Sequence, residues 1–321
     1  MMGDRRIATE LAARLRFPVM AGPMFIASTP ELVIAQCKAG IVGAIPALNA
    51  RSTASLDEAL TRIEADLSQA DSQHQKIAPY ALNLVAHRTN DRLAADVEIT
   101  LRHRPPIVII SLAAPTQLVD DIHAYDGLVF NDVISNRQAR KCAEAGADGL
   151  VAVCAGAGGH TGDTSPFALV QEIREWWDGP LALSGCIATG AGVLAAQVMG
   201  ADFAYIGSPF LASEEANTQP AFKQMIARSS AQDIIVTDCF TGVRASFLRP
   251  SIEANGLDPK ALQRPEGAAI SIKDGGANAK AWRDIWSAGQ GVNAVKSAEP
   301  AAAFIDRLEQ DYRAARQLWL Q

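Results

Sequence analysis

One imidazole stands where the chain is richest in glycine. Residues 148–162 read DGLVAVCAGAGGHTG, and His160 follows Gly156, Gly158 and Gly159. Glycines lack a Cβ, so backbone N–H groups there can lie close against a flat or anionic ligand. The preceding run Leu150–Val153 reads as a buried parallel strand, which puts His160 just past a strand's C-terminal end. α/β sheets and barrels carry their chemistry at that end. The plainer alternative is a flexible turn with a surface histidine.

Two further turns carry donors. Ser184-Gly185-Cys186 and Gly207-Ser208 each offer unobstructed backbone N–H groups and a hydroxyl. A helix beginning near Thr189 would aim its positive end at an anion. A barrel places its phosphate site in the loops after its seventh and eighth strands, and these turns occupy those places. Either turn alone reads as structural; the pair favours phosphate. Asn83 and Asn131 interrupt apolar strands, where an amide must find partners. Each could bond the polar edge of a bound ring or be a satisfied interior amide. His74, His87, His103 and His123 sit beside helical or polar segments and are expected at the surface. No pair of histidines or carboxylates has metal-ligand spacing on one element, so no metal is expected.

The elements that must position these groups alternate. Apolar runs at 18–24, 41–48, 80–85, 107–112, 127–133, 150–153, 181–184 and 203–207 read as strands. Helices fall between them. Thr29 caps one, with Pro30 in its first turn. Ser55 and Glu58 are spaced as a capping box for another. Ser165 is placed to cap a helix over 166–177, and Gly146 to end the helix over 136–145. This alternation predicts an α/β fold, a (β/α)₈ TIM barrel rather than an open doubly wound sheet. There is no first-turn GxGxxG with an acidic ribose partner. After Leu211 the pattern breaks, with a Gly/Pro-richer middle at 250–267 and Trp282 and Trp286 close together. We read 213–294 as a smaller, mostly helical cap and substrate subdomain. The barrel itself would comprise 1–212 and 295–321, closed by a last amphipathic helix over 300–319.

Composition narrows the function classes. Charged residues make up 20%, apolar ones 49%, and the net charge is −6. That is a globular chain with an acidic balance, and a nucleic-acid surface is not expected. No apolar run reaches membrane-spanning length, and the first residues lack a secretory signal's apolar core. The five cysteines form no CxxC pair, the usage expected of free thiols in a reducing cytoplasm.

Six segments, in order along nearly the whole chain, resemble the nitronate monooxygenase family, formerly called 2-nitropropane dioxygenases. They are AGPM at 21–24, NLV at 83–85, AGGHTG at 157–162, SGCIATGAG at 184–192, DFAYIGSPFL at 202–211 and WSAGQGV at 286–292. The resemblance implies a TIM barrel with noncovalent FMN at its mouth. It implies that Gly22, Pro23 and Met24 lie against the isoalloxazine, that Asn83 bonds the FMN, and that Gly185, Gly207 and Ser208 hold its phosphate. Asn131, Gly158, Gly159 and Ser184 join them as candidate FMN contacts. His160 matches the family's catalytic histidine, and Gly289-Gln290 would approach the flavin from the cap. The chain departs from the family pattern at Val153, Gly156, Cys186 and Tyr205, and the first, second and last of these touch the region where the chemistries would differ.

Three readings follow. In the first, a nitronate or nitroalkane is oxidised with O₂. In the second, NAD(P)H reduces the flavin and an enoyl or other CoA or acyl-carrier-protein thioester is reduced, because flavin-dependent enoyl-acyl-carrier-protein reductases are similar in scaffold and GGH loop. The third is a non-catalytic flavoprotein. A cytoplasmic enzyme with small-molecule partners, paired as a homodimer, fits either of the first two.

Overall fold

Short runs of Val, Ile, Leu and Ala that bury both faces form parallel strands, and each needs a helix to cover its outer face. The computed structural model describes residues 2–72, 76–113, 115–262 and 282–319. Its barrel strands are β1 (Val19–Ala21), β2 (Gly43–Pro46), β3 (Tyr80–Val85), β4 (Ile107–Ser111), β5 (Leu128–Val133) and β6 (Gly149–Val153). A two-residue strand β7 (Gly159–His160) interrupts the series before β8 (Leu181–Ser184) and β9 (Phe203–Ile206) complete it. The barrel strands are parallel neighbours in the order β1-β9-β8-β6-β5-β4-β3-β2. The ring closes where Ala21 N donates to Val42 O at 2.7 Å. This is a TIM barrel. Predicted strand ranges overrun the observed ones by a few residues at β1 and β2 and match at β3 and β8.

Period-two alternation sorts each strand. Ile107, Ile109, Phe130, Val151, Ala182 and Phe203 fill the interior. Val108, Ile110, Val129, Val133, Leu150 and Leu183 face the helices. Helix Arg5–Arg14 packs Ala8 and Leu11 against the interior cluster. The last helix, Ala301–Trp319, supplies the eighth outer helix. Phe304, Ile305 and Leu308 share a buried cluster with Val193 of helix Gly190–Met199.

Caps were legible where the side chain is local. Thr29 Oγ1 accepts from Leu32 N at 3.0 Å, and Gly146 adopts φ +97° after helix Asn136–Glu144. Two caps differ from expectation. The helix predicted from Ser55 begins at Thr53, and Ser52 Oγ accepts from Ser55 N at 3.1 Å, so the Ser55/Glu58 box is absent. Ser165 occupies the cap position of helix Pro166–Arg174, but its side chain makes no capping bond.

The segment after β9 is less helical than predicted. It contains helix Pro220–Arg228, and also strands β10 (Ile234–Thr237) and β11 (Ala245–Leu248), paired antiparallel. The β-branched run Ile234–Thr237 was the available signal for this hairpin. Strand β11 continues onto β7, matching Ala245 with His160 and Ser246 with Gly159. The cap is thereby hydrogen-bonded to the glycine loop. The predicted Gly/Pro-rich middle lies partly outside the described residues, as does His74.

One buried ion pair ties the outer layer together. Arg174 Nη2 donates to Asp202 Oδ2 at 2.5 Å, and the same oxygen accepts from Leu181 N at 2.9 Å. Arg174 also donates to the carbonyls of Gly200, Trp177 and Gly179. Asp202→Ala would leave a mostly buried guanidinium and a strand N–H without their acceptor. Breaking such a pair from one side costs about 3 kcal/mol. We expect a clearly lower urea midpoint with an unchanged m-value; an unchanged midpoint refutes this account.

Candidate active site

The C-terminal ends of the barrel strands open into a cavity of about 380 Å³ that the cap roofs. Its walls include Gly22, Pro23, Met24, Asn83, Gly158, Gly159, His160, Ser184, Gly185, Gly207 and Ser208, which the chain spreads across 187 positions from first to last. Two expected contacts are not there. Asn131 lies on the outward parity of β5, between Phe130 and Asp132, and its Nδ2 donates to Ile110 O at 3.2 Å and Ala113 O at 3.0 Å. It serves the strand–helix layer. Gln290 is exposed; its neighbours Gly289 and Gly291 line the cavity, while its own Oε1 lies 3.5 Å from Cys186 Sγ.

Alternation brings Asn83 inward. Its Nδ2 donates to Ile109 O at 3.0 Å and Ser111 Oγ at 2.8 Å, which leaves Oδ1 as the atom free to meet a ligand. Ser111 and Asp132 line the same floor. Sequence reasoning passed over both, although strand parity with Asn83 and Phe130 would have found them.

The two predicted donor turns sit side by side because β8 and β9 are neighbours. Among the described residues, none accepts from the backbone N–H groups of Gly185, Cys186, Gly207 or Ser208. Thr189 Oγ1 accepts from Gly192 N at 3.2 Å and caps helix Gly190–Met199, whose first N–H groups adjoin the same loop. Gly185 has φ +148°, and a Cβ there would stand 3.0 Å from Ala155 O. Ser208 Oγ accepts from Gly289 N at 2.7 Å, so its own proton remains to donate. The result is a nest of N–H and O–H donors, suited to a phosphate.

Backbone bonds from the cap hold the glycine loop. Gly159 N donates to Ser287 Oγ at 2.9 Å, Gln290 N to Gly156 O at 2.9 Å, and Ser246 Oγ to Ala157 O at 2.6 Å. A Cβ at Gly158 would stand 2.8 Å from Gly289 N and from Ser208 Oγ. These glycines therefore serve contact between loop and cap; Gly159's N–H is committed to Ser287 and not free for a ligand.

His160 opens to solvent through the mouth. Trp282 meets its ring edge-on, with centroids 5.5 Å apart. The surrounding wall disfavours the imidazolium and brings the His160 pKa down to about 4. At neutral pH the ring is uncharged and able to accept a proton. The other histidines lie elsewhere. His103, expected at the surface, is half-buried, which lowers its pKa, but Glu64 and Asp57, each 3.0 Å away, outweigh that and raise it.

Strain gathers at the mouth. Six non-glycine residues take a left-handed conformation among those described, and four of them, Ile26, Leu112, Cys186 and Trp282, line the cavity. Such residues persist only where their surroundings hold them. Asn49 does this for Ile26: its Oδ1 accepts from Ile26 N at 2.8 Å, while its Nδ2 donates to Met24 O and Ser28 O.

A TIM barrel with unpartnered donors beside a neutral imidazole, both under a cap, has the layout of an enzyme whose site lies at its strand ends. The nitronate monooxygenase family model matches residues 8–311, and the chain belongs to that family. It is a flavin-dependent oxidoreductase. It is 27% identical to a nitronate monooxygenase of Paraburkholderia phytofirmans, over 92% of each chain. A Mycobacterium tuberculosis protein described as a monooxygenase is 30% identical across 53% of this chain, an alignment spanning about half (49%) of that protein. FabK of Thermotoga maritima superposes with a TM-score of 0.78 at 22% identity over 97% of each chain. Nitroalkane oxidase of Streptomyces ansochromogenes gives 0.77 at 19% identity, over 96% of this chain and 99% of that one. Among the described residues no helix is long and apolar enough to cross a membrane.

Proposed function

We propose that the mouth holds noncovalent FMN and that the protein oxidises alkyl nitronates, or the nitroalkanes that yield them, with O₂ as oxidant. The observation that carries this reading is the set of unpartnered N–H groups after β8 and β9, facing the same cavity as a neutral His160. Gly185, Gly207, Ser184 and Ser208 would hold the phosphate. Gly22, Pro23 and Met24 would lie against the ring, and Asn83 Oδ1 would accept from it. Once bound, FMN supplies the electron-accepting ring.

His160 acts on the substrate. With a neutral nitroalkane its free ring nitrogen takes the α-proton, so a C–H bond breaks, an N–H bond forms, and a nitronate is left. With a preformed nitronate the ring N–H donates to the anion. Trp282 packs edge-on against the imidazole at the mouth. In this reading 213–294 is the substrate subdomain of a cytoplasmic enzyme, and 1–212 with 295–321 is the FMN-binding barrel.

A second reading draws on the apolar outer wall. Phe25, Leu112, Phe222 and Trp286 line more of the mouth than a small nitronate needs. Together with the fold likeness to FabK, they favour an NAD(P)H-dependent reductase of CoA or acyl-carrier-protein thioesters. One anaerobic experiment separates the two. The released cofactor is first identified by mass; FAD would sink the FMN assignment. The holoprotein is then mixed with propyl-2-nitronate, NADH or NADPH. Bleaching by the nitronate and not by nicotinamides is the expected outcome; the reverse transfers the assignment to thioester reduction.

A further inference from the structure

Four polar side chains at the cavity floor belong neither to the phosphate nest nor to His160, and their hydrogen bonds run in one direction. Both amide protons of Asn83 are spent, on Ile109 O and Ser111 Oγ. The Ile109 carbonyl can only accept, which sets the orientation of the amide. Ser111 has a single proton, and it goes to Asp132 Oδ2 at 2.5 Å. Oδ2 is therefore the accepting oxygen of Asp132. Any proton on this carboxyl sits on Oδ1.

That atom is buried and has no partner, and the hydroxyl of Tyr205 is in the same position. Both residues line the cavity, from β5 and from β9. Buried polar atoms are nearly always paired, so two orphans on residues that line one cavity point to a missing partner there. The surroundings keep Tyr205 protonated at neutrality and hold the proton on Asp132 up to about pH 6. Burial pushes Asp132 up to about 6 against the lowering effect of Ser111. Burial and then the charge of Asp132 hold Tyr205 well above its ordinary value. The neighbouring groups offer no counter-charge. Asn83 and Ser111 are neutral, β6 presents Val153, and His160 is uncharged at neutral pH. Behind the strand, Cys142 is itself pushed up to about 11. Arg283, the cation among the lining residues, donates to Asp284 at 2.7 Å.

We propose that Asp132 is a positioning residue which, as a neutral carboxylic acid, donates from Oδ1 to the polar edge of the bound flavin ring, with Tyr205 donating a second bond. This rests on the FMN reading above. An ionised carboxylate could only accept, so it could not bond the ring oxygens, while the ring N–H is assigned to Asn83 Oδ1. The acid must therefore keep its proton to bond a ring oxygen.

The test measures FMN affinity of the cofactor-stripped full chain by flavin fluorescence between pH 5 and 8. The proteins are the wild type, Asp132→Asn, Asp132→Leu and Tyr205→Phe, each checked for folding by circular dichroism. The phosphate of FMN titrates in the same range, with a second pKa of about 6, and is common to all four. The ratio of wild-type to Asn-variant affinity isolates Asp132. We expect that ratio to fall as pH rises through about 6, because ionisation removes the donor that the amide keeps. We expect Asp132→Leu and Tyr205→Phe to bind FMN about 10-fold more weakly at pH 5, each with a shifted flavin absorption band. A pH-independent ratio, or full affinity in Asp132→Leu, overturns the proposal while leaving the FMN reading intact. A wild type that binds no FMN at any pH overturns both.

Discussion

His160→Asn should purify with its flavin and lose about 10²–10⁴-fold in kcat/KM for neutral nitroalkanes, the usual range for a positioned acid–base group. The cofactor should stay because no donor of the phosphate nest comes from His160. Its backbone pairing with Ala245 is kept by any side chain. Loss with a preformed nitronate should be smaller, since no proton has to be removed. Equal losses with both substrates would assign His160 to anion stabilisation instead. The pH profile adds a second check. A base works above its pKa, and the His160 pKa is lowered to about 4 by the surrounding wall. The acid limb of kcat/KM should thus lie near pH 4 rather than at an ordinary histidine's 6.5. A limb at the ordinary value would show that the ring is solvated like a surface histidine.

Gly207→Asp should abolish FMN retention while the barrel still folds. The position has an ordinary φ of −113°, and an added Cβ would meet only the Met24 side chain, Cγ at 3.7 Å and Sδ at 3.9 Å. The free protein can accommodate the side chain; the ligand cannot, because a carboxylate would then stand among the N–H groups assigned to the phosphate. Like charges a few ångströms apart, in a partly enclosed site, repel by several kcal/mol. A colourless protein with an unchanged thermal midpoint is expected, and normal flavin content would place the phosphate elsewhere. Gly185→Asp is a poorer probe. Its φ of +148° and the 3.0 Å approach to Ala155 O add backbone strain that would be confused with lost binding.

The comparison of Gly185 with Gly207 bears on how much of the site the sequence contains. Both were legible as cavity-facing glycines from their place after successive strands. Only the coordinates separate a glycine held by backbone conformation from one kept for open space. Glycine at 158 belongs to a third kind, since the cap backbone at Gly289 fills the room its Cβ would take.

Sequence alone determined the barrel, its eight strand positions, the closing C-terminal helix and the donor turns. Those features are written in local signals: apolar runs of strand length, caps such as Thr29, and glycines at helix ends. The motifs carried the family, and with it the placing of His160 and Asn83. Tertiary structure decided what depends on which way a side chain points and on what arrives from far along the chain. Asn131 and Asp132 are adjacent in β5, yet the pleat sends the amide to the helices and the acid to the cavity floor. Gln290 turns away while its glycine neighbours line the wall. The hairpin β10–β11 joins the His160 loop across 85 positions, from His160 to Ala245, and Trp282 meets the imidazole edge-on from further still. No local pattern encodes such pairings, because they are set by how the cap settles on the barrel mouth and which buried donors are left for a ligand to satisfy.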